Sequence, residues 1–173
     1  MAGPDEIDEH IHHAREPFDK FVAGTMAIIA ALLAIVSVLG LHFVSEKLLN
    51  QQLNSDQWSY YQAKNIRRYA AQVARDLLTQ ANAGSEMIGR YTKDIARYDE
   101  DMKTIQEKAR EYEKERDVDS RRAEFFHIGE VFLEVGIVLS SLAILTKRKL
   151  WYSAGIGSAI VGVLAAASAF VRV

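Results

Sequence analysis

Two glutamates, Glu130 and Glu134, lie in a largely apolar stretch of the sequence, EFFHIGEVFLEVGIVLSSLAIL at residues 124–145. Carboxylates in such a stretch hold cations or protons, and rings of them contributed by several subunits line cation channels. The alternative is that they hydrogen-bond to neighbours such as Ser140, His127 or water, or carry a proton themselves. The sequence therefore offers Glu130 and Glu134 as residues of a possible ion pathway.

A second group of candidate ligands lies near the amino terminus. His10 and His13 are three residues apart with Glu9 beside them, a spacing that can hold a transition metal weakly. A solvated terminus is the alternative, because the sequence fixes no second group of ligands opposite them. The chain has no cysteine, and it contains no nucleotide-binding loop, catalytic triad or zinc signature. We therefore expect neither an enzyme nor a cofactor.

Composition narrows the fold class and argues against one kind of partner. The 173-residue chain has a net charge of −2, whereas a nucleic-acid-binding protein carries a strong basic excess. Both prolines precede residue 20, and Ala, Leu, Glu, Lys and Arg dominate the rest of the chain. The sequence predicts an all-α protein that does not bind nucleic acid.

Three apolar runs are long enough to cross a membrane as helices. Residues 21–44 are 24 residues without a charge, and as a helix they extend about 36 Å, enough for a hydrocarbon core of roughly 30 Å. Residues 151–171 form another uncharged run, but residues 135–146 are too short and must recruit both glutamates. We predict transmembrane helices at 21–44, 124–146 and 151–171. A buried soluble core is the alternative.

The polar segment between the first two spans, residues 45–123, predicts a helical-hairpin stalk. NAGSE, at residues 82–86, combines residues that tolerate positive φ with a helix N-cap, and it places the turn at 82–85. The arms on either side, 45–82 and 86–123, are equal in length, as a hairpin requires if both ends return to one membrane surface. The predicted fold is an integral membrane protein with three transmembrane helices and a long antiparallel, coiled-coil-like hairpin.

The second arm of this hairpin has the clearest periodicity in the chain. Its apolar residues alternate in steps of three and four, as in a coiled coil. We call these residues the second-arm seam: Ile88, Tyr91, Ile95, Tyr98, Met102, Ile105, Ala109 and Tyr112. A looser stripe in the first arm is predicted to face it: Trp58, Ile66, Tyr69, Val73 and Leu77.

The same spacing, extended past Tyr112, reaches Glu130. If the helix is continuous, Glu130 lies on the face turned toward partner helices, and Glu134 lies about 40° round from it. Both carboxylates are thus predicted to face protein rather than lipid, with Glu130 the more important. That placement avoids or shares the cost of roughly 2.5–3.5 kcal/mol for an acidic residue at mid-membrane.

Small residues recur at intervals of four in the first and third spans. The third span has Gly155 and Ala159, and also Ser158, Gly162 and Ala166; the first has Ala23, Ala27 and Ala31. Such faces allow helices to approach closely in lipid, either between subunits or within one chain. Together with the second-arm seam they predict a homo-oligomer.

The flanking segments predict an orientation in the membrane. The first span is longer than a signal-peptide core and follows an acidic, His-rich segment, residues 1–20, so we expect a retained anchor. The short basic loop at 147–150 is expected in the cytoplasm. This places the amino terminus inside and the stalk outside the cytoplasm, although Arg121 and Arg122 favour the reverse.

Two motifs resemble a known family. WSYYQAKNIRR at 58–68 and EVFLEVGIVLSSLAILTKRKLWY at 130–152 are similar to a bacterial family of three-span membrane proteins catalogued as a domain of unknown function. The resemblance implies a bacterial inner membrane. It also offers motif positions without a role: Trp58, Tyr61, Gln62, Lys64 and Arg67.

Our own interpretation of the first motif is a polar patch formed by Gln62, Lys64 and Arg67. This patch is suited to a lipid headgroup or an acidic partner, and a solvated helix face is the alternative. Two functions remain open from the sequence. One is a structural or interaction module in the membrane, with membrane lipids and its own copies as partners. The other is an oligomeric cation pathway lined by Glu130 and Glu134.

Overall fold

The structure is a computed structural model, and it describes residues 17–171. These residues form three α-helices. Helix α1 spans Pro17–Gln80, helix α2 spans Ser85–Thr146 and helix α3 spans Lys149–Ser168. The all-α prediction is therefore confirmed for the described part of the chain.

The chain divides into two compact units. We call the first the apolar unit; its described part consists of residues 17–44 and 120–171. The second, the hairpin unit, consists of residues 45–119. Helix α1 is unbroken from Pro17 to Gln80, so it contributes residues to both units.

The turn of the hairpin is a Schellman motif. Asn82 adopts a φ of 50°, in the left-handed region that Asn tolerates. The Ala83 N–H donates to the Leu78 carbonyl at 3.0 Å, and the Asn82 N–H donates to the Thr79 carbonyl at 3.2 Å. These two bonds satisfy carbonyls that the end of α1 leaves unpaired, and α2 begins at Ser85.

The second-arm seam is confirmed by burial. Ile95, Met102, Ile105 and Ala109 are buried, and the other four seam residues are half-buried. The residues between them are mostly exposed and charged. The three-and-four spacing thus identified the face of α2 that packs against the first arm.

The prediction that an apolar stripe of the first arm faces the second-arm seam is wrong. Ile66, Tyr69, Val73 and Leu77 are exposed by 69%, 54%, 60% and 60%, so they point away from the second arm. Trp58 alone of the five predicted residues is half-buried.

The first arm instead turns a largely polar stripe toward the second arm. These residues, which we call the inner stripe, also follow steps of four and three, and all are buried or half-buried: Asn50, Asn54, Gln57, Tyr61, Lys64, Arg68, Ala71, Arg75 and Leu78. Asn54 donates to the Ala109 carbonyl at 2.7 Å. Lys64 pairs with Asp101 at 2.7 Å, and Arg68 pairs with Asp99 at 2.8 Å.

These bonds explain why a polar stripe can occupy the interface. Each of these side chains donates to an acceptor on α2, which offsets the cost of desolvation, although Arg68 Nε has no partner within the described residues. Long basic side chains also cover apolar surface with their stems while the charge stays near solvent. Tyr61 and Arg68 accordingly line a cavity together with Met102 of the second-arm seam.

The core of the apolar unit is built from residues of all three helices. Ile29 and Val36 of α1, Leu133 of α2 and Ala159 of α3 are buried in it. Phe126 of α2 is 1% exposed and stacks on Phe43 of α1, with ring centroids 5.5 Å apart. Burial along this part of α2 follows the spacing extended from the second-arm seam through Phe126, Leu133 and Ser140.

Helices α2 and α3 approach each other at two pairs of glycines. A Cβ added to Gly162 would lie 2.7 Å from the Gly129 carbonyl oxygen. A Cβ added to Gly155 would lie 2.8 Å from the Gly136 carbonyl oxygen. Only glycine allows backbones this close, so the small residues of the third span pack within one chain. Ala23, Ala27 and Ala31 of the first span are exposed.

All three helices contain a segment long and apolar enough to cross a membrane. Many large apolar side chains on the outside of the apolar unit remain exposed, including Phe21, Ile28, Ile35 and Val38. Helices that are apolar on every side suit a lipid environment. The fold therefore has three candidate spans and one antiparallel helical hairpin.

Candidate functional site

Glu130 lies in a polar cluster within the apolar unit. Its side chain is 32% exposed, and its Oε1 accepts a hydrogen bond from the Ser37 hydroxyl of α1. His127, one turn earlier on α2, places its Nδ1 at 3.7 Å from Glu130 Oε2. The carboxylate therefore has a donor on a neighbouring helix and a titratable imidazole on its own.

A groove of about 490 Å³ lies beside this cluster. Its walls are apolar and come from both helices: Val38, Gly40, Leu41 and Val44 of α1 and Ala123 of α2. Ser37, His127 and Glu130 supply the polar part of the lining. An apolar groove with one carboxylate is suited to a proton or a cation, because these neutralise the charge that apolar surroundings disfavour.

Glu134 has different surroundings. It is exposed, and within residues 17–171 its side chain makes no hydrogen bond or ion pair. One turn separates it from Glu130, but of the two only Glu130 forms a side-chain hydrogen bond to another helix. The structure thus divides the pair into one carboxylate with partners in the apolar unit and one that faces outward.

Ser37 is the residue of this cluster that sequence reasoning missed. It stands alone among apolar residues of the first span, VSVLG at 36–40, and a single serine in a span is no signal by itself. The buried face of this span follows steps of seven through Val22, Ile29 and Val36, and Ser37 lies one position past it. Only the position of α2 shows that its hydroxyl reaches a carboxylate.

The three residues of the predicted patch, Gln62, Lys64 and Arg67, lie on different faces of α1. Lys64 belongs to the inner stripe, where its ammonium lies 5.4 Å and 5.5 Å from the ring centroids of Tyr60 and Tyr98. Its hydrogen bond to Asp101 raises the pKa of Lys64 above its usual value. Gln62 and Arg67 are exposed on the other side of α1.

Residues 18–172 match a protein family described as a domain of unknown function, DUF4337. The chain belongs to this family. Neither a curated protein nor a solved structure is significantly similar to it. Membership of DUF4337 agrees with the resemblance found in the two motifs, and it covers nearly all of the described residues.

In this DUF4337 chain the aromatic motif positions lie at the edge of the hairpin interface. Trp58 and Tyr61 are half-buried, and their rings meet edge to face with centroids 5.6 Å apart. Tyr61 belongs to the inner stripe and is half-buried in the hairpin.

The candidate metal ligands His10 and His13 lie outside the described residues. Within residues 17–171, no three His, Cys, Asp or Glu side chains are grouped so as to hold a metal ion. Within the described part, Glu130 is a candidate site for a proton or cation, and the surface of the hairpin is a candidate site for contacts with another molecule.

Proposed function

We propose that the chain is a non-enzymatic membrane protein that acts as a structural or interaction module through its hairpin. The observation that carries this proposal is the reversed polarity of the first arm. Its polar stripe is bonded to the second arm, and its apolar stripe is exposed. An exposed apolar surface of this kind marks a site where another macromolecule docks.

The apolar unit supports a role as a membrane anchor. It has three helices of spanning length, and glycine pairs hold α2 and α3 together as in membrane helix pairs. A chain with this anchor is multi-pass, and the family resemblance suggests the bacterial inner membrane. We keep the orientation with the amino terminus in the cytoplasm and the hairpin outside.

Orientation is tested by labelling the hairpin turn. The chain has no cysteine, so Ala83→Cys introduces a single thiol. An impermeant maleimide should label it in intact spheroplasts if the hairpin lies outside the cytoplasm. Labelling only after lysis would reverse the orientation and leave the interaction role standing.

The interaction role is tested with a photo-crosslinking amino acid in the hairpin of the full-length protein in its membrane. At Tyr69, in the exposed apolar stripe, we expect a defined covalent adduct that mass spectrometry resolves. The matched control is Thr104, which is exposed on the second arm. Absence of any adduct specific to Tyr69 would contradict the proposal.

A cation pathway is the second candidate function, and the cluster of Ser37, His127 and Glu130 is the observation that favours it. Several copies would have to bring their Glu130 side chains around one path. Reconstituted liposomes would then show cation flux that Glu130→Gln reduces strongly and Glu134→Gln reduces less. Flux equal to that of protein-free liposomes would exclude this function and leave the interaction module.

A further inference from the structure

The exposed apolar surface of the first arm has the spacing of a coiled-coil interface. We call its members the outer stripe, and they follow steps of three, four, three and four: Ala63, Ile66, Ala70, Val73 and Leu77. All five are exposed, and Tyr69 extends the surface at its edge. The inner stripe lies on the opposite side of the same helix, so the second arm cannot cover the outer stripe.

We infer that the outer stripe is a self-association surface that packs in parallel against the outer stripe of a second copy of the chain. This inference rests on the proposed interaction function and names its partner. It also replaces the earlier reasons for an oligomer, because the second-arm seam and the small residues of α3 pack within one chain.

Side chains flanking the outer stripe favour a second copy. In heptad notation Ala63, Ala70 and Leu77 take position a, and Ile66 and Val73 take position d. Gln62 then occupies position g, and Arg67 occupies the next position e. In a parallel pair, a g residue lies beside the e residue five positions later on the other helix. Gln62 of each copy can therefore accept a hydrogen bond from Arg67 of the other.

Within residues 63–77 the other flanking positions bring no like charges together in this arrangement. The remaining g residues of the stripe are Tyr69 and Asp76, and the e residues that follow them by five are Ala74 and Ala81. Two identical surfaces that are apolar along the centre and compatible at both edges are self-complementary, as a two-fold interface requires.

The membrane anchor favours the parallel direction. The first apolar run and the first arm belong to one helix, α1. The first arm follows the first apolar run directly in the sequence, so two copies that cross one bilayer in the same orientation begin their first arms at the same membrane surface. Confinement to one membrane also raises the effective concentration of one arm for the other, which favours association through a stripe of five residues.

Disulfide trapping tests the surface in the full-length protein in proteoliposomes. Oxidation of Val73→Cys should link two copies, because residues at position d of a parallel pair face each other. Thr104→Cys, exposed on the second arm, should remain unlinked. Equal linkage at both sites, or linkage at neither, would overturn the inference.

The relative direction of the two first arms is tested with Ile66→Cys and Leu77→Cys. In a parallel pair each variant links to itself, and mixing the two adds little. In an antiparallel pair neither links to itself, and only the mixture does. That second result would overturn the parallel arrangement.

The polar flank gives a test that leaves folding intact, because Gln62 is exposed. Gln62→Lys places a lysine beside Arg67 of the other copy and should weaken association about tenfold, whereas Gln62→Glu should strengthen it by a similar factor. The same pair of changes at Thr104 is the control and should alter nothing. Dimerisation in mild detergent, followed by light scattering over a dilution series, reports both changes.

The crosslinking and disulfide experiments together distinguish self-association from the more general role as an interaction module. If Tyr69 crosslinks to an identified different protein and Val73→Cys does not link two copies, self-association is wrong and the interaction module stands. If Tyr69 crosslinks to nothing and Val73→Cys stays unlinked, both are wrong.

Discussion

The apolar unit and the hairpin unit bring helices together with opposite kinds of surface. In the apolar unit, Gly129 and Gly136 of α2 meet Gly162 and Gly155 of α3, and backbone touches backbone. In the hairpin unit, long side chains such as Lys64 cross the interface to reach acceptors such as Asp101. The first contact tolerates no added volume, whereas the second depends on bonds that solvent competes for.

The largest expected effect is in the apolar unit. Gly162→Val would place side-chain atoms against the Gly129 carbonyl and the Leu133 backbone, with Cβ distances of 2.7 Å and 3.1 Å. We expect a loss of about 3 kcal/mol or more of unfolding free energy, at or above the upper end for overpacked cores. Thermal unfolding in mild detergent, followed by far-UV circular dichroism, measures it.

The control for this change lies on the same helix. A Cβ at Gly157 would meet nothing within 4 Å, so Gly157→Val should stay within about 1 kcal/mol of the wild type. Equal losses at the two glycines would show that α2 and α3 do not meet at Gly162.

The next effect distinguishes the two faces of the hairpin. Met102 is 5% exposed in the second-arm seam, and Met102→Ala should cost about 2 kcal/mol, the lower end for a buried methionine. Val73 is 60% exposed, and Val73→Ala should stay within about 0.5 kcal/mol. Chemical unfolding at a concentration where light scattering finds single chains gives both values, and the reverse order would contradict the assigned faces.

The smallest effect concerns the ion pair of Lys64 and Asp101. Because the folded state raises the pKa of Lys64, the pair stabilises the fold fully below the unfolded-state pKa of about 10.4. That contribution is lost as pH rises through the higher folded-state pKa. The melting temperature of Lys64→Met should therefore lie below that of the wild type at pH of about 8, with the gap closing as pH rises through the folded-state pKa of Lys64.

The control for the pH series is Lys93→Met, which removes an exposed lysine from the second arm. Its melting temperature should differ little from that of the wild type at either pH. A gap for Lys64→Met that is unchanged across the whole range would show that the ammonium of Lys64 does not stabilise the hairpin.

Sequence patterns predicted surfaces of α2 that are apolar and buried by a neighbouring helix. The second-arm seam is such a surface, and so is the continuation of its spacing to Phe126 and Leu133. The direction in which each side chain points around the helix axis follows directly from the period of 3.6 residues per turn. That is why Glu130, which continues the spacing, has a partner on another helix and Glu134 has none within the described residues.

The first arm was assigned the wrong face because apolar spacing does not say which surface covers it. Ile66, Val73 and Leu77 form a regular stripe, and the usual assumption turns such a stripe inward. The inner stripe contains Asn54, Lys64 and Arg68. Their burial is possible only because α2 places a hydrogen-bond acceptor opposite each of them. Those acceptors lie some 30 to 55 residues away in the sequence, and no local pattern reveals them. Ser37 was missed for the same reason.

The first arm turns its polar stripe toward the second arm and leaves its apolar stripe exposed. An intrachain disulfide tests this arrangement most directly, because the bond forms only between Cα atoms about 4.4–6.8 Å apart. Asn54→Cys with Ala109→Cys should form a disulfide within one chain, since Asn54 bonds to the Ala109 carbonyl at 2.7 Å. Asp56→Cys with Ala109→Cys should not, because Asp56 is exposed on the side of the outer stripe. Counting free thiols by mass after alkylation reads both out, and a disulfide at Asp56 in place of Asn54 would contradict the account.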